Sequence, residues 1–355
     1  MNGSGVYGGS KSIMEEVAEN VYRIGVPLPK NPLKLTNSYF IRGEDSDLLI
    51  DTGFRCEESR QALRTELQKL GADLDRLDVL VTHVHSDHSG LSGEFAGRSR
   101  HVYLSRKDMD YLNKIFCGRH LQMTHRRFVS EGFPPDLLGP IETKTPSIIY
   151  SLQYMDHRFV PVDDGDIIEV GTYRLRCISV PGHSPGNCMY WAEEQKIMFT
   201  GDHILFNITP NITAFVDEED SLGSYLDSLR RVWEFPVKLA LPGHRMPGNY
   251  HARIEELLSH HYSRLQVTLS VVTQFPNCSA YDIAGHMTWH VRADSWDTFP
   301  GGQKWYAVGE CLSHLDYLRR RNFIARAQKG ETWKYWALCP SIDPYKSIYS
   351  HVASK

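Results

Sequence analysis

The sequence predicts an α/β protein that ends in a smaller, mainly helical segment, and three observations carry that prediction. Apolar runs of strand length alternate with helical periodicities through most of the 355 residues. Five of the apolar runs deliver an Asp or a His at the point where they stop, at Asp51, His83, His183, Asp202 and His244. Beyond residue 262 the charge balance shifts, with 11 Lys/Arg against 7 Asp/Glu in a chain whose formal net charge is −4.

Taken in order, residues 1–13 contain a Gly/Ser-rich stretch without the apolar core of a signal peptide, and read as a disordered leader. From Val17 to Phe54 the pattern is short strands and turns, closing with Leu48-Leu49-Ile50 before Asp51-Thr52-Gly53. Leu63, Leu67 and Leu70 fall at i, i+4 and i+7 of a helix, and Gly71 stands where its C-cap belongs. Val79-Leu80-Val81-Thr82 is the next strand and runs into His83. Residues 105–160 are too long for a plain connection and read as an inserted cap of one or two helices, ending at Phe133-Pro134-Pro135. Strands resume over Tyr173–Val180, Cys188–Trp191 and Lys196–Thr200, and a helix carries Leu222, Tyr225, Leu226, Leu229, Val232 and Trp233 on one face. Leu239-Ala240-Leu241 then leads into Pro242-Gly243-His244. After a long helix around His251–Thr273 come two helices, Ala280–Met287 and Gln303–Arg321, and two strands around Gln328-Lys329-Gly330-Glu331. That order suggests a winged-helix-like domain over 262–345 with a tail over 346–355, behind a main domain over 14–261.

Composition removes several functions. No apolar run is long enough to span a bilayer, so no membrane partner is expected. A net charge of −4 gives no overall attraction to polyanions. The seven cysteines are scattered and form no C-x-x-C pair, the pattern of reduced thiols in a cytoplasmic protein.

The chemistry concentrates in Thr82-His83-Val84-His85-Ser86-Asp87-His88. Imidazole and carboxylate suit zinc and its neighbours, and the absence of Cys argues for an open catalytic site rather than a closed structural one. His83 and His85, two apart at a strand end, point the same way, whereas the adjacent Asp87 and His88 point apart and can serve a second ion. His183, Asp202 and His244 each follow a strand through a Gly turn that leaves the side chain room in a shared cleft. Single histidines such as His101, His157 and His286 lack that context and read as ordinary hydrogen-bonded or surface residues.

The ordered set resembles the metallo-β-lactamase superfamily: Asp51 after an early strand, then H-x-H-x-D-H at 83–88, His183, Asp202 and His244. The resemblance implies the four-layer αββα fold of that family, a helical cap insertion and two divalent metal ions. It places His83, His85 and His183 on one metal and Asp87, His88 and His244 on the other, with Asp202 bridging. Asp51 is expected to prop the ligands as a hydrogen-bond acceptor. Zinc is favoured by ligand type, and Mn2+ or Fe2+ also suits such a site. Two cations about 3.5–4 Å apart can share a water and lower its pKa toward neutrality. The expected reaction is therefore hydrolysis, with Asp87 and Asp202 as its catalytic carboxylates.

For the substrate, the cap and the tail are similar both to glyoxalase II-like hydrolases and to lactamase-beta-like endoribonucleases, and the segment Phe206–Ile212 fits the glyoxalase II-like branch, which implies a small acyl substrate, a thioester or lactone. Tyr111, His120, Arg126 and Arg127 of the cap, His203 at the site rim, and Trp305 and Tyr306 of the tail are the candidate substrate contacts. The alternative is an endoribonuclease or phosphodiesterase acting on single-stranded nucleic acid, drawing on Arg319, Arg320, Arg321, Arg326, Lys329 and Lys334. A regulator that binds DNA through the tail is a third class, and it would leave the His/Asp set without a use. The tail can equally serve as a contact in a homodimer.

Overall fold

The computed structural model describes residues 14–339 and 341, except 145 and 291. The expected leader and the tail over 346–355 lie outside the described residues. The chain opens with strands β1 (Met14–Ala18), β2 (Val21–Pro27), β3 (Leu35–Ile41) and β4 (Asp47–Ile50), then helix α1 (Glu57–Lys69) and strand β5 (Leu77–Leu80). Short helices α2 (Ser86–Ser89) and α3 (Ser92–Phe95) precede β6 (Val102–Ser105). The insertion holds α4 (Arg106–Phe116), α5 (Arg119–Ser130), α6 (Pro135–Lys144) and α7 (Pro146–Ile149). Then follow β7 (Phe159–Val162), β8 (Ile167–Val170), β9 (Tyr173–Ser179), β10 (Cys188–Ala192), β11 (Ile197–Gly201), α8 (Ser221–Trp233) and β12 (Leu239–Pro242). The chain closes with α9 (Tyr250–Gln274), α10 (Ala280–His286), α11 (Gly301–Arg320) and the ribbon β13 (Ile324–Lys329) and β14 (Thr332–Ala337).

Two sheets face each other, one of seven strands in the order β1 to β7 and one of five in the order β12-β11-β10-β9-β8. Period-two alternation explains why both have two apolar faces. In β3, Tyr39 and Ile41 join Leu175, Tyr190 and Phe199 between the sheets, while Phe40 points out to Leu63 and Leu67 of α1. In β10, Cys188, Tyr190 and Ala192 point into that inner layer, while Met189 and Trp191 point out toward Leu222 and Leu229 of α8. The result is helix, sheet, sheet, helix, the layering expected from the sequence. Each of these fully buried side chains contributes roughly 1.5–3 kcal/mol.

Two expectations change. Among the described residues the insertion carries four helical segments rather than one or two, because Pro135 starts α6 instead of ending the helical part; proline fits the first turn, where its missing N–H has no intrahelical partner. The division expected near residue 262 falls inside α9, which is 25 residues long and unbroken. One apolar cluster joins Met198, Leu257 and Leu265 to Ala280, Leu312 and Tyr335, so the C-terminal helices share a core with the outer face of the second sheet. The helix predicted from Leu63, Leu67 and Leu70 forms over Glu57–Lys69, with Gly71 in the left-handed conformation just past its end.

Candidate metal centre

The site sits where co-directional strands end. β4 and β5 run parallel, as do β11 and β12, and β9 is antiparallel to β10, which is antiparallel to β11. Asp51, His83, His183, Asp202 and His244 therefore all emerge from C-terminal strand ends. Two hydrogen-bond seams stitch the sheets together beside these residues. Cys188 N donates to Thr82 O at 2.9 Å, next to His83. Asn37 N donates to Gly243 O at 2.7 Å and Asn37 Nδ2 to Pro242 O at 2.9 Å and Arg245 O at 2.7 Å, around His244.

All seven residues named from the sequence converge. His83 Nε2 lies 3.0 Å from His85 Nδ1, and these two with His183 form one group whose ligand atoms lie within 4.8 Å of one another. Asp87, His88 and His244 form a second such group, with His244 Nε2 3.3 Å from Asp87 Oδ2 and 3.3 Å from His88 Nε2. Asp202 stands between them: Oδ2 is 3.7 Å from His183 Nε2 and 3.4 Å from His244 Nε2, and Oδ1 is 3.4 Å from His88 Nε2. His83, His88, His183, Asp202 and His244 are buried, whereas His85 and Asp87 are half-buried and mark the open side.

Behind the cluster, the Nδ1 of four of the five histidines meets an acceptor. His83 Nδ1 faces Thr82 Oγ1 at 3.1 Å, His88 Nδ1 faces Asp51 Oδ2 at 2.8 Å, His183 Nδ1 faces Asn211 O at 2.9 Å and His244 Nδ1 faces Leu35 O at 2.8 Å. An acceptor at Nδ1 fixes the tautomer that leaves a lone pair on Nε2. Asp51 does this twice. It accepts from His88 directly, and it accepts the Thr82 hydroxyl at 2.7 Å, which leaves the Thr82 oxygen free to accept from His83. Its backbone is left-handed (φ 59°), a conformation Asp tolerates.

The donor set fits divalent cations. His183 Nε2 and Asp202 Oδ1 are buried and make no hydrogen bond among the described residues. Burial, aided by the neighbouring imidazoles, holds His83 well below the usual histidine range, and burial brings His85 down to about 3, so both are neutral lone-pair donors. Burial pushes His244 down too, but Asp202 and Asp87 outweigh it and lift the ring to about 10; Asp202, Asp51 and Asp87 raise His88 in the same way. The carboxylates demand positive charge at this spot, and protons on two imidazoles meet that demand when no cation does.

The sequence profile of the metallo-beta-lactamase superfamily matches residues 32–244, which contain every one of these residues. The chain belongs to that superfamily. A metallo-beta-lactamase family protein from Thermus thermophilus shares 28% identity and superposes with a TM-score of 0.76, over 90% of this chain and 98% of the other. A beta-lactamase domain protein from Burkholderia ambifaria, 24% identical, shares the fold with a TM-score of 0.73 over 91% and 94% of the two chains. Among curated relatives, an atrochrysone carboxyl ACP thioesterase from Aspergillus novofumigatus is 27% identical over 235 residues, 65% of this chain and 56% of the relative. Another, from Cryptosporiopsis sp., is 24% identical over 266 residues, 74% of this chain and 65% of the relative. The matched part thus spans less than two thirds of these relatives' own length.

The metallo-beta-lactamase site gathers few of the proposed substrate contacts. Tyr111 and His120 meet in the cap, with the Tyr111 hydroxyl 2.9 Å from His120 Nε2 and the ring edge-on to Phe215. Arg126 is exposed. Arg127 is engaged elsewhere, paired with Asp316 of α11 and donating to Phe215 O at 2.8 Å, so it anchors the cap to the C-terminal helices. Trp305 stacks on Phe128 in the outer apolar layer, and Tyr306 lies beside it, partly exposed. His203 is not at the rim: it is fully buried behind Asp202 and packs edge-on against Tyr225. The sequence pointed to none of the backbone acceptors at Leu35 and Asn211, because a carbonyl's direction has no signature in residue type.

Proposed function

We propose that the chain is a hydrolase that holds two divalent metal ions, zinc foremost, and cleaves an acyl thioester. The observation that carries this reading is the set of four imidazoles whose Nδ1 atoms are each held by an acceptor while their Nε2 atoms converge on Asp202 and Asp87. His83, His85 and His183 would hold one ion and Asp87, His88 and His244 the other, with Asp202 facing both. Such ions supply an activated water and polarisation of the scissile carbonyl. The chain's own residues orient and exclude. Asp51 and Thr82 set tautomers, the buried strand ends keep bulk water from the back of the cluster, and the half-buried His85 and Asp87 leave one face for the acyl carbonyl to enter.

The thioester is favoured over a lactone because the relatives named above are thioesterases of carrier-bound acyl chains. The nucleic-acid reading is less favoured, since its cations have polar or acidic neighbours within the chain. Arg319 lies 3.8 Å from Asp316, Arg320 pairs with Glu219, Arg321 with Asp220 at 2.7 Å and Arg326 with Glu131 at 2.7 Å. Lys334 lies 3.5 Å from Asp282, and Lys329 donates to Asn277 Oδ1 at 2.8 Å. The segment from α10 onward, which we read as winged-helix-like, then acts as a wall behind the cap or as a homodimer contact.

The test is thiol release from acyl-glutathione, acyl-coenzyme A and acyl-phosphopantetheine thioesters by the zinc-loaded protein. Asp87→Asn should lower turnover about 100-fold or more, about 3 kcal/mol of lost transition-state stabilisation, with unchanged circular dichroism. Near-normal turnover in that variant overturns the assignment.

A further inference from the structure

Asp108 lies in the first turn of the cap helix α4, outside every motif that points to the metal centre, yet its side chain is completely buried. Its carboxylate receives three hydrogen bonds from two distant segments. Oδ2 accepts from Val84 N at 2.8 Å and from Ser184 Oγ at 3.0 Å, and Oδ1 accepts from Gly186 N at 2.7 Å. Val84 stands between His83 and His85, and Ser184 directly follows His183. One carboxylate therefore ties together the two loops that carry the first His group.

The approach of those loops is built for this contact. A Cβ on Gly186 would come within 2.1 Å of Ser105 Oγ, 2.5 Å of Asp108 N and 2.8 Å of Asp108 Cγ, so only glycine lets the 184–186 turn reach the carboxylate. Ser105 Oγ accepts from Asp108 N at 3.2 Å and fixes the helix start against the same turn. A carboxylate is the one side chain of this size that accepts at both oxygens and donates at neither. An amide in its place has one acceptor oxygen, so one loop keeps its bond and the other faces a donor.

We propose that Asp108 is a positioning residue: from the base of the cap it sets the spacing of His83 and His85 against His183, and so the affinity of that group for its metal ion. The inference rests on the two-metal reading above. It adds a residue that touches neither substrate nor metal, and it makes the cap part of the scaffold of the first ion and not of the second. Among the described residues, Asp87, His88 and His244 share no hydrogen bond with Asp108 or with the 184–186 turn.

The experiment is competitive titration of the metal-free protein with Zn2+ against a chromophoric chelator, repeated with Co2+ so that its visible absorption reports the ligand geometry. Wild-type protein should take up two ions. Asp108→Asn should bind one of them about 10–100-fold more weakly, the effect typical of removing a group that orients metal ligands, with the second constant changed less than about threefold and the Co2+ spectrum of the weakened site altered. Ser184→Ala, which deletes only one of the three hydrogen bonds, should weaken the same ion by a smaller factor and keeps the test open if the Asn variant does not fold. Both zinc constants within about twofold of wild type in a folded Asp108→Asn protein overturn the inference, as does an unchanged pair in Ser184→Ala when that is the folded variant. A loss of thermal stability without a change in either constant also overturns it and leaves Asp108 a purely structural residue. Wild-type protein that binds no zinc would instead overturn the two-metal reading itself.

Discussion

Replacing Asp51 by Asn keeps the size of the side chain and changes what it can accept, and the consequences reach one imidazole of each His group. In the native site Oδ2 takes the Nδ1–H of His88 at 2.8 Å and the Thr82 hydroxyl at 2.7 Å, while Oδ1 takes the Thr82 N–H at 2.8 Å. With the amide nitrogen at the Oδ2 position, His88 Nδ1 must become the acceptor and its proton moves to Nε2, the atom that faces His244 and Asp202. The Thr82 hydroxyl must also turn to accept from the amide, which reorients the oxygen that faces His83 Nδ1. If the amide flips instead, its nitrogen meets the Thr82 N–H, and a buried donor is left unpaired at a cost of about 1–3 kcal/mol. The first arrangement puts a ligand imidazole in the wrong tautomer and lowers metal affinity by about 10–100-fold, equivalent to about 1.4–2.7 kcal/mol, whereas the flipped one keeps both ligand-side bonds and shows as lost stability. The assay is zinc titration against a chelator, with thermal unfolding of metal-free and loaded protein alongside. A variant with zinc constants within about twofold of wild type and with unchanged metal-free stability would refute the tautomer reading, because no rotamer of the substituted amide satisfies all three donors.

Other outcomes follow from the same geometry. Gly243→Ala should abolish tight zinc binding, since its Cβ would stand 2.4 Å from Asp202 Oδ1 and 2.7 Å from His88 Cε1; the metal content of the purified variant checks this. His261 and His314 are buried, and burial holds His261 well below the usual range and brings His314 to about 3. Both are thus neutral in the fold, and their contribution to stability is present above about pH 6.5 and lost as pH falls below it. Each loses up to about 1.4 kcal/mol per pH unit, so together they cost about 3 kcal/mol between about pH 6.5 and 5. Denaturant titrations of the metal-free protein and of His261→Leu/His314→Leu should show that much less acid destabilisation in the double variant, and parallel pH profiles would contradict it. Raising salt should change single-stranded RNA binding little, because the arginines after residue 318 already have carboxylate partners; a steep salt dependence in a filter-binding assay would reopen the nucleic-acid reading.

Several parts of this protein were legible in the sequence for a simple reason: they depend on local spacing. Alternating apolar runs fix which strand faces are buried, as Tyr190 and Trp191 show on opposite faces of β10, and the strand-end Asp and His residues carry their position with them. The layering and the seven converging side chains follow from that. Where the sequence reading missed, the deciding contacts join residues far apart in the chain. Arg127, a candidate substrate contact by its place in the cap, pairs instead with Asp316, 189 residues away. His203, adjacent to Asp202, looked like part of the rim, but consecutive residues at a strand end diverge, and it turns into the core against Tyr225.

Sequence by itself determined the strands, the cluster of His and Asp ligands and the superfamily, because ligand type and strand periodicity are properties of neighbouring residues. Tertiary structure alone decided which nitrogen each histidine offers, which cations are already neutralised, and that Asp108 binds loops 24 and 78 residues away. These depend on the direction of carbonyls and the meeting of distant loops, and a buried hydrogen bond is strong only when the whole fold brings donor and acceptor into line.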